Sequence, residues 1–484
     1  RSKVYAGDAI VEEKLVKYQL FWKYYNNNHW AKNNDKLLSF NYVRAIIDKV
    51  NNFMVSDEGF ELNIRDTYGE QVSLDLDRIY EALLNFNWRQ NNKKTLLKKV
   101  LQMGGITGDA YIFLYPSTDG FIQYKLMDTR TCIPVFNNGD YNDIIGYRIV
   151  QPLIMNEKEY IQKVFKYTKE TTEIYYVKDT GEDAPKFEMS SSTNIYQFIP
   201  IVHIENIPMS DSFGGKSDVE DIVKINKIYN EMAEDVKMII DYYAQPTTVI
   251  TGGTVGALKR GINQIWSGLP ADAHVFNLAL GEDLSASMSY LKLLKESMHD
   301  LTGVPEEVLS KVQHISNTSA SALQMLYQSL IQVSDIKAVS YGEGIERINK
   351  LTTLMYAESL PDHPLYTQLL SQITKKKIFG DGEINIRAFV IRYVTDVKFK
   401  YALPNDRLQM LNEINIELSA NIASRREVME KKRKSNIATL LKQIDEDIEL
   451  KKQIAQDAKP VIGGDNPPSA EQKKDDLPPE AVTE

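Results

Sequence analysis

The stretch from residue 199 to residue 253, IPIVHIENIPMSDSFGGKSDVEDIVKINKIYNEMAEDVKMIIDYYAQPTTVITGG, decides the fold. A short β-branched run leads into a polar loop, then into a long amphipathic segment, and a second β-branched run follows Pro246. The pattern predicts a helix over 216–243, capped by Ser217 or Asp218 and ended by the proline. Its apolar residues recur every three or four positions, at Val219, Ile222, Val223, Met232, Val236, Ile239, Ile240 and Tyr243.

The opposite face of this predicted helix is acidic. Seven acids stand there against the three bases Lys224, Lys227 and Lys237. The acids are Asp218, Glu220, Asp221, Glu231, Glu234, Asp235 and Asp241. We therefore expect a negatively charged rod with one apolar side.

Length and composition limit what the chain can be. Its 484 residues are enough for two to four domains with substantial cores. A net charge of −9 disfavours a general DNA-binding protein, whose affinity comes mostly from Lys and Arg on phosphates. Cys132 is the only cysteine, so an intrachain disulfide is impossible and a reducing compartment is expected. No apolar run reaches the roughly 18–20 residues that a membrane span needs.

The first two hundred residues are predicted to be helices followed by an antiparallel meander, which is an α+β pattern. Helix is expected over 8–55, with an Asn-rich break inside it, and over 75–102. The second of these regions has four lysines (93, 94, 98, 99) toward its C-terminal end, where the helix dipole favours them. Alternating residues predict hairpins over 109–128 and 131–151, with further strands at 160–168 and 172–177.

The second half of the chain is predicted to be mostly helical. A β-rich insertion over 247–280 separates the opening helix from a second helix over 283–301. A further helix is expected over 319–354, a strand returning to the earlier sheet over 383–402, and helices over 405–456. Residues 459–484 hold five of the 17 prolines and no aromatic residue, which indicates disorder.

The polar loop 310–321 is a candidate functional segment. It interrupts two helices, and helix–helix connections in bundles usually take about 2–8 residues. An ordinary connection is the alternative to a mobile loop that contacts a ligand.

Catalytic and metal-binding motifs are weak in this sequence. Gly215-Lys216-Ser217 is half of a phosphate-binding loop, but position 210 is Ser where the first glycine should stand, and the acids that follow would repel phosphate. The six histidines show no metal-ligand spacing. The basic run 425–434 is interpreted as a solvated helix face, with nucleic-acid contact as the alternative. The residues thus predict neither an enzyme nor a cofactor or metal site.

The order and spacing of these segments resemble the portal proteins of tailed bacteriophages, in particular the family typical of phages of Gram-positive hosts. The similarity runs from about Ile10 to Gln456. It is carried by NYVRAIIDKVNNFM, by GDAYIFLYPSTDGFIQYKLMDTRTCIPVF with IIGYRIV, by the opening stretch, by SYLKLLKESMHDLTGVPEEV followed by SNTSASALQMLYQSL, and by NDRLQMLNEI, SRREVME, IDEDIEL and KKQIA.

The resemblance implies a portal fold divided into named regions. The first four are a wing over 1–215 (helices plus antiparallel meander), a first stem helix over 216–243, a small α/β clip over 244–282 and a second stem helix over 283–304. A tunnel loop with a long wing helix and the return strands of the wing follows over 305–404. The chain ends with a helical crown over 405–457 and a disordered tail over 458–484.

The resemblance also implies a function without catalysis. About twelve copies would form a ring at one capsid vertex of the virion, assembled in the cytoplasm of a bacterial host, through which double-stranded DNA is packaged and ejected. The partners would be the terminase (packaging ATPase), the major capsid and scaffold proteins, and later the head-completion and tail adaptor proteins, with no membrane.

Functional residues follow from the same resemblance. The tunnel loop would face DNA with Lys311, His314, Ser316, Asn317, Thr318 and Ser319. The stem would line the channel with the acids Glu231, Glu234 and Asp235. The clip would dock partners through Lys259, Arg260, Asn263 and Trp266. Two alternatives stay open: a nucleotide-driven ring motor that uses Gly215-Lys216-Ser217, and a virion scaffold or adaptor without a channel.

Overall fold

The structure of the chain is a computed structural model. It describes residues 9–28, 39–56, 59–70, 72–137, 140–156, 159–178, 186–210, 213–244, 248–252, 272–277, 284–306, 325–376, 378–379, 384–402 and 414–420. The chain divides into two compact units, 1–404 and 405–484. In the second unit, where crown helices were predicted, the described residues are helical over 414–419. The predicted tail over 458–484 lies outside the described residues.

Helices form much of the first unit. Those described are α1 (Ala9–Tyr25), α2 (Tyr42–Met54), α3 (Leu74–Gln90), α4 (Lys93–Thr107), α5 (Val223–Ala244), α6 (Ser285–Thr302), α7 (Gln328–Ser359), α8 (Pro364–Lys375) and α9 (Ile386–Arg392).

The strands form antiparallel sheets. They are β1 (Phe60–Asp66), β2 (Asp109–Pro116), β3 (Ile122–Met127), β4 (Cys132–Asn137), β5 (Asp140–Asn156), β6 (Glu159–Thr168), β7 (Thr171–Lys178), β8 (Lys186–Thr193), β9 (Ile201–Glu205), β10 (Thr248–Thr251), β11 (His274–Asn277) and β12 (Tyr393–Phe399). The sheet orders are β4-β5-β6-β7-β8, β3-β2-β9, β1-β12 and β10-β11.

The long helix α7 lies at the centre of the main hydrophobic core. It packs against β12, β9, β2, β3, α2, α3 and α9. Polar bonds inside this core fix its position: Trp88 Nε1 donates to Asn349 Oδ1 at 2.8 Å, and the Tyr124 hydroxyl bonds Thr352 at 2.8 Å. Because buried polar atoms must be paired, these bonds specify one arrangement of α7 on the helices and strands that precede it.

The structure confirms the mixed α+β class and most of the predicted elements. The hairpins at 109–128 and 131–151 are β2–β3 and β4–β5, and the predicted strands at 160–168 and 172–177 are β6 and β7. The helical region predicted over 8–55 is α1, which ends at Tyr25, and α2, which begins at Tyr42. The second predicted stem helix is α6, shifted by one or two residues at its ends.

The first predicted stem helix starts later than expected. It was predicted from residue 216, whereas α5 begins at Val223, and residues 218–222 form turns. Ser217 and Asp218 do not cap it, because both side chains bind elements distant in sequence. The C-terminal end at Ala244 agrees with the prediction.

The helical region predicted over 75–102 is two helices, α3 and α4. The break at Asn91–Asn92 is fixed by the Asn91 side chain, which donates to Ile122 O at 2.8 Å and accepts from Tyr124 N at 2.6 Å on β3. Asn92 has a left-handed φ of 53° and precedes α4. The lysines expected at a helix C-terminus therefore lie in the first two turns of α4.

The strand predicted over 383–402 is half helix. Asn385 Oδ1 accepts from Ala388 N at 3.0 Å and caps α9, and only Tyr393–Phe399 is strand. That strand pairs with β1, from Phe60↔Phe399 to Asp66↔Tyr393, and not with the meander as expected. Neither β1 nor α8 was predicted. The long helix predicted over 319–354 is described as α7, which runs on to Ser359, while residues 319–324 lie outside the described part.

Candidate functional site

The helices α5 and α6 pack against each other as a pair. Ala233, Val236 and Leu291 make a small buried cluster between them, covered by Tyr229 and Met232. The strands that follow α5 and precede α6 pair with each other, Thr248 with Asn277 and Thr251 with His274. The end of α5 and the start of α6 therefore lie at the same end of the pair, and the two helices are antiparallel.

The acidic rod on α5 is shorter than predicted. Of the three acids predicted to line a channel, Glu231 and Asp235 are exposed, while the Glu234 side chain is 19% exposed. Glu231 lies 3.6 Å from Lys227 and Glu234 lies 3.5 Å from Lys237. Exposed pairs of this kind contribute about 0–1 kcal/mol.

The charge balance of α5 also differs from the expectation, because the helix begins at Val223 and not at residue 216. Within Val223–Ala244, four acids stand against three lysines. The other three predicted acids lie before the helix and bind bases elsewhere: Asp218 binds Lys337, Glu220 binds Lys17 and Asp221 binds Lys216. The rod therefore carries a small negative charge rather than a large one.

Large apolar side chains are exposed on both helices of the pair. On α5 they are Ile228, Met238 and Ile240, and on α6 they are Met288, Tyr290, Leu293 and Leu301. Their exposed fractions lie between 41% and 56%. Concentrated exposure of large apolar residues marks a surface that contacts another molecule.

Asp109 is a buried charge that contacts the segment before α5. Its carboxylate accepts hydrogen bonds from Lys14 Nζ at 3.0 Å, His203 Nε2 at 2.8 Å, Gly215 N at 2.9 Å and the Tyr18 hydroxyl. Burial raises the pKa of Asp109, but the bonds and charges of His203 and Lys14 outweigh burial and leave that pKa below its usual value. The segment before α5 is thus held to α1, β2 and β9.

A second buried pair holds the start of the α5 segment to α7. Asp218 accepts from Lys337 Nζ and, at 2.7 Å, from Asn206 Nδ2. The Lys337 side chain is fully buried on α7. Ser217 Oγ donates to the carbonyl oxygen of Ile106 at 2.7 Å, near the end of α4. Both side chains predicted to cap α5 are therefore tertiary contacts.

Gly215-Lys216-Ser217 is not arranged to hold a phosphate. Three backbone amides of this segment donate within the protein: Gly215 N to Asp109 Oδ1 at 2.9 Å, Lys216 N to Ile207 O at 2.8 Å, and Asp218 N to Gly105 O at 3.0 Å. The Lys216 ammonium donates to Asp221 Oδ2 at 2.6 Å. A phosphate-binding loop needs these donors free.

Both ends of the predicted tunnel-loop segment are anchored in the main core. After α6, Gly303 ends the helix with a φ of 64°, and Val304 is fully buried, with its carbonyl oxygen 2.8 Å from His299 Nδ1. On the other side, Tyr327 is buried and stacks on Phe53 with 5.8 Å between ring centroids. Residues 307–324 span these two anchors.

Most predicted site residues lie outside the described part of the chain. This applies to the tunnel-loop residues Lys311, His314, Ser316, Asn317, Thr318 and Ser319, and to the clip residues Lys259, Arg260, Asn263 and Trp266. Of the clip, the short pair β10–β11 is described, with Val275 and Phe276 exposed.

Sequence reasoning missed the buried charges. The ion pair of Asp218 and Lys337 joins residues 119 apart, and Asp109 and His203 are 94 apart. The sequence held one sign of this ion pair: Lys337 stands among the core-facing residues of a long predicted helix. Within the described ranges, no cluster of three or more potential metal ligands is found, and no helix is long and apolar enough to cross a membrane.

Comparison with known proteins identifies one protein family. The family model "Phage portal protein, SPP1 Gp6-like" matches residues 8–453. Among solved structures, "Virion of native gene transfer agent (GTA) particle" is similar with a TM-score of 0.39 and 11% identity, covering 80% of this chain and 87% of that chain. "Neck of empty GTA particle computed with C6 symmetry" has a TM-score of 0.40 and 12% identity, covering 72% and 88%. No curated protein matches the chain. At these TM-scores and identities the family match alone carries weight.

Proposed function

This chain belongs to the SPP1 Gp6-like family of phage portal proteins, and we propose from that premise that about twelve copies close into a ring around a DNA channel at one capsid vertex. As a portal protein it is a structural connector of the phage virion and not an enzyme. Head-to-tail contacts between identical subunits generate such a ring when the rotation closes.

The exposed apolar residues of α5 and α6 support ring formation. Seven large apolar side chains on this pair are more than two-fifths exposed. Each large aliphatic side chain gains about 1.5–3 kcal/mol when fully buried. Covering these residues with the same helix pair of the next subunit would remove them from water, which makes α5 and α6 the proposed ring interface.

The DNA channel is proposed to lie along the same helix pair. A channel that lets DNA slide in both directions must not bind phosphates strongly, because affinity grows with the number of phosphates neutralised. Glu231 and Asp235 are exposed on α5 and would keep the lining slightly repulsive. Glu234 is mostly buried beside Lys237 and contributes less. We keep Lys311, His314 and Asn317 of the anchored segment 307–324 as proposed transient contacts with the DNA backbone.

Partner docking extends the proposal along the chain. The clip between α5 and α6, with Lys259, Arg260, Asn263 and Trp266, is proposed to bind the terminase first and the head-completion and tail adaptor proteins afterwards. The wing is proposed to contact the major capsid and scaffold proteins. Assembly would take place in the cytoplasm of the bacterial host.

Imaging of the purified protein tests the ring. We expect closed rings by electron microscopy and a native mass of roughly twelve subunits. The variant Met238→Glu with Leu293→Glu places charges on the proposed interface and should yield monomers. Met189→Glu with Ile195→Glu changes two apolar residues of the proposed wing that are at least as exposed, and should leave rings intact. Monomeric wild-type protein at micromolar concentration would contradict the proposal.

DNA passage has its own test. Replacing Ser316–Ser319 with a shorter rigid turn should impair packaging while the rings remain. Normal packaging by that variant would remove the tunnel-loop part of the proposal and leave the ring untouched.

Neutralising Glu231 and Asp235 together should slow DNA sliding, and unchanged packaging would remove the repulsive-lining part.

A further inference from the structure

The five-stranded sheet ends at β8, and the outer edge of that strand has no partner strand among the described residues. The sheet order is β4-β5-β6-β7-β8, so β8 pairs with β7 on one side only. An edge strand presents backbone N–H and C=O groups with which another chain can pair, and native proteins protect such edges with charges, proline, bulges or covering elements. An edge that lacks this protection is therefore a candidate site for an added strand.

The other outer edges of the two larger sheets are protected. On β3, Ile122 N donates to Asn87 Oδ1 at 2.8 Å, and Asn87 Nδ2 donates back to the carbonyl oxygen of Ile122 at 2.9 Å. On β9, the carbonyl oxygen of Glu205 accepts from Ser340 Oγ at 2.6 Å, and α7 packs along the strand. On β4, Pro134 has no N–H to donate. These three edges therefore do not offer another strand a full set of partners.

The regular part of β8 has none of these protections. Residues 189–193 read Met-Ser-Ser-Ser-Thr, without charge or proline, and all of them are exposed. A bulge stands only at the start of the strand, where Glu188 has a left-handed φ of 49° and the register against β7 shifts. We call the outward side of residues 190–193 the β8 edge. Its small side chains leave the backbone open to a neighbouring strand.

The hydrogen-bond pattern identifies which backbone groups of β8 point outward. Asn194 N donates to the carbonyl oxygen of Glu170 at 2.8 Å, and the pairing of β8 with β7 continues from there in the same register. Bonded and non-bonded pairs alternate along an antiparallel ladder. Ser192 therefore bonds β7, whereas the N–H and C=O groups of Ser191 and Thr193 point away from it. Two donors and two acceptors thus stand on the β8 edge.

Two large apolar side chains stand at the ends of the β8 edge. Met189 precedes it and is 65% exposed, and Ile195 follows it and is 61% exposed. Asn194 Nδ2 donates to two backbone carbonyl oxygens at 2.7 and 2.8 Å, which fixes the end of the strand. In an added strand, backbone pairing gives affinity and side-chain contacts give specificity. The β8 edge is therefore arranged for an extended segment with a large apolar residue near each end.

A second copy of this chain does not fit the β8 edge. Antiparallel pairing of β8 with β8 would relate two copies by a two-fold axis, which closes as a dimer and cannot continue around a ring. Four regular residues also bury far less than the roughly 1,200–2,000 Å² of a stable interface between proteins. A short segment of a protein present in many copies needs no such area, because linked binding sites reinforce one another.

From this arrangement we propose that the β8 edge binds an extended, uncharged segment of the major capsid protein as a sixth strand of the sheet. The proposal rests on the proposed ring at a capsid vertex, where the major capsid protein surrounds the wing. The backbone of the segment pairs with Ser191 and Thr193, and its apolar residues contact Met189 and Ile195. Repetition of the site around the ring lets individually weak contacts hold together.

Cross-linking inside assembled particles tests which protein occupies the β8 edge. The photoreactive residue p-benzoylphenylalanine is placed at position 195 and, as a control, at position 391 of α9, since Ile195 and Ile391 are similarly exposed. On illumination, position 195 should cross-link to the major capsid protein and position 391 should not. Cross-links from position 195 to a scaffold protein or to a second copy of this chain, without the capsid protein, would overturn the proposal. Equal yields from the two positions would overturn it as well.

A proline substitution tests whether the contact is made through the backbone. Ser191→Pro removes one outward N–H, and the sheet tolerates it because this N–H does not bond β7. Thr118→Pro is the matched control, since Thr118 is exposed at the second position of a turn that Gly120 N closes onto Ser117 O, where proline is favoured. Ser191→Pro should lower the cross-link yield from position 195 by about two- to tenfold, the effect of one lost hydrogen bond. A yield equal to that of the control would contradict backbone pairing and overturn the proposal.

The side chain of Met189 gives a second test that does not alter the backbone. Met189→Ser should lower the same yield by about threefold, because one apolar contact with the segment is lost. Leu74→Ser changes a similarly exposed residue of α3 and should leave the yield unchanged. Both variants should melt like the wild type, since both residues are exposed. An unchanged yield in Met189→Ser would mean that Met189 is no part of the site and would overturn the proposal.

Amide hydrogen exchange shows whether the chain covers the β8 edge itself. In purified rings the amides of Ser191 and Thr193 should exchange fast, and that of Ser192, which bonds β7, should exchange slowly. Slow exchange of the outward amides in rings but not in the monomeric variant Met238→Glu with Leu293→Glu would place a neighbouring subunit on the edge. Slow exchange in both would place the same chain there. Either result would overturn the proposal.

The two proposals fail in different ways. Rings that enter capsids without a cross-link from position 195 would defeat this inference alone. A cross-link to the capsid protein from a chain that forms no rings would defeat the proposed ring alone.

Discussion

At the scale of single residues, the carboxylate of Asp109 joins its own strand β2 to three other parts of the fold. Its partners come from α1, β9 and the segment before α5. Such a buried ion is stable only while every partner is in place, because taking one partner away leaves uncompensated charge in the interior. The residue is therefore a sensitive point for the fold although it takes no part in any reaction.

The first prediction concerns Asp109→Asn. Near neutral pH the variant should be destabilised by about 3–5 kcal/mol, because Lys14 and His203 lose their buried partner. The folded pKa of Asp109 lies below the unfolded value of about 3.9, so the carboxylate stabilises the fold above that pH and the contribution is lost as the pH falls through the folded pKa. Thermal unfolding followed from pH 7 to pH 3 should show the wild type and the variant converging in acid.

Asp362→Asn is the matched control, since Asp362 is exposed on the loop before α8. It should unfold like the wild type at every pH. A constant difference between Asp109→Asn and wild type across the acid range would show that the Asp109 charge is not what stabilises this junction.

The second prediction concerns the buried pair of Asp218 and Lys337. Lys337→Met alone should cost about 3–5 kcal/mol, because the buried Asp218 charge loses its partner. Adding Asp218→Asn should recover a large part of that loss, since it removes the cost of burying an unpaired charge. Urea unfolding of the two single variants and the double variant measures the coupling. Additive effects would mean that the two charges do not stabilise each other.

At the scale of elements, the contact between α4 and the segment before α5 requires glycine. Gly108 has a φ of 89°, and a Cβ there would overlap the backbone carbonyl of Gly215. Gly120, in the β2–β3 turn, has a similar φ of 81° with open space around it. The two positions therefore differ in packing and share the same backbone strain.

The third prediction uses this matched pair. Gly120→Ala should cost about 1–2 kcal/mol, the strain of a left-handed residue. Gly108→Ala should cost about 1–3 kcal/mol more, because the backbone of Gly215 must also move. Calorimetric melting of the two variants compares them directly. Equal melting temperatures would show that the close approach of these backbones relaxes without cost.

Elements with local causes could be predicted from the sequence. The alternation around Pro116–Gly120 fixes a hairpin within twenty residues, and β2–β3 was predicted correctly. The strand over 383–402 was wrong because Asn385 and its cap turn an alternating run into a helix over Ile386–Arg392. The partner of β12 could not be predicted either, since β1 lies more than three hundred residues earlier and only tertiary packing pairs them.

The candidate site was predictable as a helix pair and not as a charge pattern. The spacing of apolar residues placed α5 and α6 correctly, apart from the late start of α5. The acids Asp218 and Glu220 were predicted to lie on the acidic face of the first stem helix. They instead bind Lys337 and Lys17 on other helices. The sequence alone does not distinguish an acid on a solvent-exposed helix face from an acid that forms an ion pair with a distant part of the chain.

At the scale of the whole molecule, one of the two alternatives left open by the sequence is a nucleotide-driven motor. The fourth prediction is that neither the wild type nor Lys216→Ala hydrolyses ATP, with or without DNA. The reason is that the backbone amides of Gly215, Lys216 and Asp218 donate within the protein and cannot cradle a phosphate. A coupled phosphate-release assay on rings decides this. Turnover that Lys216→Ala abolishes would contradict the connector role and favour the motor.

The pairing of β1 with β12 has a consequence for how the protein is made. Arg392 and Asp66, which form an ion pair at this sheet, are 326 residues apart. A ribosome adds about 5–20 residues per second, so the early strand waits roughly 15–65 s for its partner. Until α7 and then β12 have been synthesised, Phe60 and the indole of Trp88 lack neighbours that bury them in the finished core. Nascent chains should therefore need protection by chaperones until residue 399 has emerged, and a prematurely terminated chain cannot complete this sheet.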